Sequence, residues 1–128
     1  MSPLDLWSKA LNAAASARAL LDRGDGSGAT SRAYYAMFNG ARALLWLRDG
    51  IEPSESKKHA TTIRRFSERF VKTGLVPVEL GRLLNEAAEA RFIADYDEDD
   101  VESAVAKQRI EAMDRFLDAL AALKDQAR

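Results

Sequence analysis

The chain contains no cysteine, which excludes disulfide staples and thiolate metal sites. Histidine occurs once, at position 59. A lone histidine with no cysteine near it is not a metal site, and no metal or other cofactor is expected. Charge of one sign is also lacking: 19 Lys and Arg stand against 20 Asp and Glu, for a net charge of −1. No global basic field draws in nucleic acid, so any such binding must come from a local patch. No apolar run approaches the roughly 20 residues that span a bilayer. The opening segment MSPLDLWSKA has no basic stretch followed by an apolar one, so it does not read as a signal peptide. These absences predict a cytoplasmic protein with no membrane segment.

What is present is enough apolar material for a core. Of 128 residues, 47% are hydrophobic and 30% charged, which fits one globular domain over 1–128. The few glycines and prolines punctuate the chain. Ser2-Pro3 opens a first helix, in which Trp7, Leu11, Ala14 and Leu21 recur at helical spacing until Gly24. GDGSG reads as a loop. A second helix is predicted from about Ala29 to Arg48, stopped by Gly50. After a loop around Pro53, a third runs from about Lys57 to Thr73. Pro77 opens a fourth, reaching about Tyr96. The acids of DEDD are expected to cap a fifth, from about Val101 to the end, with Ile110, Met113, Leu117 and Leu120 as its stripe. No strand-like alternation occurs and connections are short. The expected fold is an all-α, up-and-down bundle of about five helices.

The second helix carries a polar edge. Arg32, Tyr35, Asn39, Arg42 and Trp46 fall on one narrow stripe. The remaining surface is apolar and much wider than the arc of about 100° that a surface helix needs. Such a helix is either central in its bundle or covered on one side by a second copy. A dimer of about twice the 14.1 kDa monomer mass is predicted on that ground. The plain reading of the stripe is a partly solvated rim, with its arginines paired elsewhere. The sharper reading is a polar pocket at a subunit interface.

Several blocks together carry a resemblance: SRAYYAMF at 31–38, the histidine turn at 59, FVKTG at 70–74 and the R-x-x-x-D-Y pattern at 91–96. Over nearly its whole length the chain resembles the HEPN family, small helical domains of bacteria and archaea. The resemblance implies a symmetric homodimer and pairing with a small nucleotidyltransferase, often as toxin and antitoxin. Many members are metal-independent ribonucleases whose motif is Arg, four to six residues, then His. This chain departs from it. Glu52, Pro53 and Ser54 stand where an arginine before His59 would be, and no histidine follows Arg91. The family's histidine role is therefore carried to no residue here.

Three sets of residues remain as candidates. Arg91 and Asp95 stand one helical turn apart, and Arg91 continues the apolar face of Leu80, Leu84 and Ala87. With Tyr96 they form the candidate catalytic trio, Arg91 for a phosphate and Asp95 or Tyr96 for proton transfer. The alternative is a surface ion pair. For ligand or RNA binding the candidates are Arg32, Tyr35, Asn39, His59, Arg65 and Arg69. His59 shares a face with Ile63, Phe66 and Phe70 and can equally be a histidine at the edge of the core. Arg65 and Arg69, with Lys57, Lys58, Arg64 and Lys72, are either a solvated face or a contact for a phosphate backbone. The acids from Asp95 to Glu102 oppose nucleic acid and suit a basic partner or the basic third helix of the same fold. The expected function is a helical subunit acting with a nucleotidyltransferase and holding a nucleotide or RNA cleft. The alternatives are a metal-independent ribonuclease and a nucleotide-binding module without chemistry. Arg32, Tyr35 and Asn39 are expected to line one cleft with Arg91, Asp95 and Tyr96, near the dimer interface.

Overall fold

The computed structural model describes residues 1–56 and 58–127, and every structural statement below concerns those residues. They form five α-helices: α1 (Pro3–Asp22), α2 (Gly26–Asp49), α3 (His59–Phe66), α4 (Val78–Tyr96) and α5 (Ser103–Gln126). No strand occurs among them, so the class is all-α.

Local chemistry explains the ends. Ser2 and Asp5 form a reciprocal capping box around Pro3, satisfying two of the free amides of the first turn of α1. Gly50 closes α2 in the left-handed region, at φ 68°, where a side chain would be strained. The start of α2 differs from expectation: the helix begins inside GDGSG, three residues before Ala29. Asp25 is its cap and accepts from the Gly28 amide at 2.8 Å. The missing side chain of Gly26 permits close approach to the loop before α5. A Cβ there would lie 1.9 Å from the Val101 carbonyl oxygen. Beside it the Val101 amide donates to Ser27 Oγ at 3.0 Å.

Two further boundaries depart from the pattern. Pro53–Ser56, expected as loop, makes a turn of 3₁₀-helix. The third helix is not uniform to Thr73. After Phe66 it widens into a π turn over Ser67–Val71, closed by the Lys72 amide on the Ser67 carbonyl at 2.8 Å. Its expected first residue, Lys57, lies outside the described residues. The acids before α5 do not cap it by hydrogen bonding. Glu102 stands at the capping position and makes no such bond.

α2 is the central element, packed against α1, α3, α4 and α5. Its wide apolar arc, from Ala33, Tyr34 and Met37 to Leu44 and Leu45, is buried within this single chain. A second copy is therefore not needed to explain that arc. Gly40 sits where α2 crosses α5, and a Cβ there would come within 3.0 Å of Leu117. Phe66, Phe70, Phe116, Leu84, Met113 and Leu120 complete the core. On α5 the expected stripe is buried. On α1 it is shifted: Leu11 is exposed, and Leu6, Trp7, Ala10, Ala13, Ala14 and Ala17 face inward. No helix is long and apolar enough to cross a membrane.

Candidate functional site

The polar stripe of α2 meets the first residue of α3 and the C-terminal half of α4. His59 opens α3, and its ring lies flat on Phe38, with centroids 4.4 Å apart and planes 19° apart. Tyr34 stacks beside it at 5.4 Å, and Tyr35 meets it edge-on at 5.9 Å. The Tyr34 hydroxyl lies 2.6 Å from His59 Nδ1, and Arg91 Nη2 lies 3.4 Å from the same nitrogen. A guanidinium has no acceptor, so Nδ1 accepts from Arg91. The tyrosine hydroxyl donates to it as well, and the ring proton is placed on Nε2. Nε2 has no hydrogen-bond partner among the described residues.

The electrostatics follow this arrangement. Burial pushes the Tyr34 phenol well above its usual range, opposed by Arg91 and assisted by Tyr35, so it stays a donor at neutral pH. Burial also holds His59 below its usual value, reinforced by Arg91 and then Arg42. The imidazole is therefore neutral at physiological pH, in keeping with an accepting Nδ1.

Three arginines surround this aromatic group. The Arg91 guanidinium lies 5.3 Å from the Tyr34 centroid and 5.7 Å from that of Tyr35. Arg32 reaches the same Tyr35 ring at 5.7 Å. Arg42 covers Phe38 at 5.1 Å, donates to Asn39 Oδ1 at 3.3 Å and to the Pro53 carbonyl at 3.3 Å, and is pushed down by burial. One carboxylate answers them: Asp95 pairs with Arg91 at 3.4 Å. The Nε atoms of Arg42 and Arg91 are buried and have no partner. Buried donors without acceptors are costly, and these two are the unsatisfied polar groups of the cluster.

The structure thus gathers Arg91, Asp95, His59, Tyr35, Arg32 and, through Arg42, Asn39. It leaves three predicted residues elsewhere. Tyr96 is 72% exposed and leans on Phe92, with ring centroids 4.8 Å apart. Arg65 donates to the Glu55 carbonyl at 2.9 Å. Arg69 is exposed, and its neighbour Arg64 pairs with Glu68 at 3.7 Å. Sequence reasoning placed Arg42 on the polar stripe without naming it as a ligand residue, and missed Tyr34 as a site residue. The available signal was a tyrosine on the buried arc of α2, whose hydroxyl must find a partner when buried.

The profile of the HEPN domain matches residues 4–124. The chain belongs to the HEPN family. Two proteins of Methanocaldococcus jannaschii, both described as candidate toxins, are similar to it. One is 44% identical over 69 residues, covering 54% of this chain and 44% of that protein. The other is 36% identical over 92 residues, covering 72% of this chain and 66% of that protein. The chain therefore spans less than two thirds of either relative. A UPF0332 protein of Thermotoga maritima is 40% identical over 93 residues, which cover 72% of this chain and 67% of that protein. The candidate site is the aromatic and arginine cluster between α2, α3 and α4.

Proposed function

We propose that this HEPN protein is a toxin-type subunit of the cytoplasm that works as a homodimer with a nucleotidyltransferase partner and binds a nucleotide or RNA phosphate at the Arg91 cluster. One observation carries the binding claim. Arg32 and Arg91 both reach the Tyr35 ring at 5.7 Å, with Asp95 as the one paired carboxylate. Guanidiniums bind phosphate oxygens in pairs of hydrogen bonds, and the partly buried Tyr35 ring offers an edge or face against which a base stacks. The description of the archaeal relatives as candidate toxins supports the toxin reading. Titration with a labelled single-stranded RNA and with a nucleotide tests it. Arg91→Ala and Arg32→Ala should each weaken binding about tenfold, and each should lower the salt slope by roughly one phosphate contact. No binding by the native protein at low salt defeats the reading.

A second reading, a metal-independent ribonuclease, is favoured by the meeting of His59 and Arg91, 32 residues apart in the chain. The histidine that the sequence lacks after Arg91 is supplied in space by α3. In the other tautomer, with the proton on Nδ1 and donated to the Tyr34 hydroxyl oxygen, His59 Nε2 can take the proton of a ribose 2′-hydroxyl. The 2′-oxygen then bonds to phosphorus as the 5′-oxygen leaves and takes a proton from solvent. Arg91 neutralises the developing charge. On this reading proton transfer falls to His59 rather than to Asp95 or Tyr96. Cleavage of RNA in the presence of a chelator, lost in His59→Gln, supports it. Binding without cleavage leaves a nucleotide-binding module.

A further inference from the structure

The outer face of α4 inverts the usual pattern. Phe92 is 59% exposed, Ile93 56% and Tyr96 72%, adjoining Ala88 and Glu89. The concavity they form continues onto Asp97, Glu98 and Asp99. Six of the eight residues from Asp95 to Glu102 are acidic. Asp95 pairs with Arg91. The other five make no ion pair among the described residues. Capping does not account for them either, because Glu102 makes no capping bond and Asp97 accepts only from the amide of Asp99, at 3.1 Å. A chain of net charge −1 thus concentrates unpaired negative charge against its most exposed aromatic cluster.

We infer that this face docks a cationic protein segment, one that presents apolar side chains flanked by lysine or arginine. Aromatic and aliphatic anchors at the centre of a patch supply most of an interface's affinity. A charged rim of one sign steers the partner and rejects others. The acids repel nucleic acid and anionic lipid. A second copy fits poorly, since a twofold contact centred on Phe92 brings two acidic rims into one interface. The inference does not depend on phosphate binding at Arg91, which lies on a different side of α4.

The test uses a labelled 18-residue helical peptide with leucines on one face and lysines and arginines beside them, and a control peptide with glutamates in their place. Fluorescence anisotropy should show saturable binding of the cationic peptide, weakened by salt, and no binding of the control. Binding should fall at least tenfold in Phe92→Ser/Ile93→Ser and in Asp97→Asn/Glu98→Gln/Asp99→Asn/Asp100→Asn. It should be unchanged in Asp22→Asn/Glu111→Gln/Asp118→Asn, which removes exposed acids elsewhere. Equal loss in both acid variants, or none in the serine variant, overturns the inference. So does a native dimer that the serine variant converts to monomer, which would show that a second copy occupies the face. Unchanged circular dichroism and melting of the variants establish that folding is not the cause.

Discussion

Arg91 and Phe92 are adjacent in sequence and sit in opposite surroundings. The charged residue lies half-buried against Tyr34, Tyr35 and His59, with 19% of its side chain exposed. The phenylalanine stands in solvent. A helix turns about 100° per residue, so one step along α4 moves from the inner edge of the bundle to its outer face. The contrast shows that here polarity does not decide burial. Arg91 is tolerated inside because its guanidinium has ring faces, a carboxylate and an imidazole nitrogen to meet. Phe92 is left outside because no other element covers that face of α4.

The strongest way to break this contrast compares aromatic residues in the two settings. Phe66→Ala should cost about 3–5 kcal/mol in denaturant unfolding, because Phe66 is fully buried against Phe70 and Phe116. Phe92→Ala should change stability by about 0.5 kcal/mol or less. A comparable loss at both positions would show that Phe92 is covered in solution.

Tyr34→Phe comes next. It removes the hydroxyl that holds His59 Nδ1 and should cost about 1 kcal/mol while leaving the stacked rings in place. Under the ribonuclease reading it should also lower the cleavage rate more than RNA binding, because it frees the imidazole to turn. A variant that melts like the native protein would mean that the hydroxyl bond contributes nothing net.

Titration sharpens the same comparison. His59 is held below its usual pKa of about 6.5 by burial, then by Arg91 and Arg42. The unfolded chain therefore takes up the proton more readily than the native one. The stability contributed by the neutral imidazole is complete above about pH 6.5 and is lost as pH falls below it. His59→Gln should reduce the drop in melting temperature between about pH 7.5 and pH 5, relative to the native protein. An identical drop in both proteins would place the imidazole in contact with solvent.

The smallest effect is expected at Asp95. The Arg91–Asp95 pair is an i, i+4 contact at 3.4 Å with one third of the carboxylate side chain exposed. Asp95→Asn should cost a few tenths of a kcal/mol and should tighten phosphate binding by freeing Arg91. Weaker binding would instead give the carboxylate a direct role.

Much of the fold was legible because its signals are local. Ser2-Pro3, Pro77 and Gly50 mark helix ends through φ preference and capping. The spacing of Ile110, Met113, Leu117 and Leu120 identifies the inner face of α5. GDGSG reads as a loop by composition, yet α2 starts within it: Gly26 serves close packing against Val101, a demand that local propensity does not register. The π turn after Phe66 escaped for a similar reason: it changes which residues face inward without changing composition.

The site divides along the same line. The α2 stripe and the Arg91–Asp95 turn could be read from the 3.6-residue period alone. The period also made Tyr34 and Phe38 look like plain core residues. Only the packing of α3 across α2 and α4 brings His59 to Arg91 and puts the Tyr34 hydroxyl on its Nδ1. By itself the sequence determined the class, the number of helices and the lack of thiol chemistry, because each follows from composition or from neighbours a turn apart. The tertiary structure decided which nitrogen of His59 is held, which arginines converge and which side of α4 stays bare. Those depend on contacts between residues tens of positions apart, and no local preference encodes them.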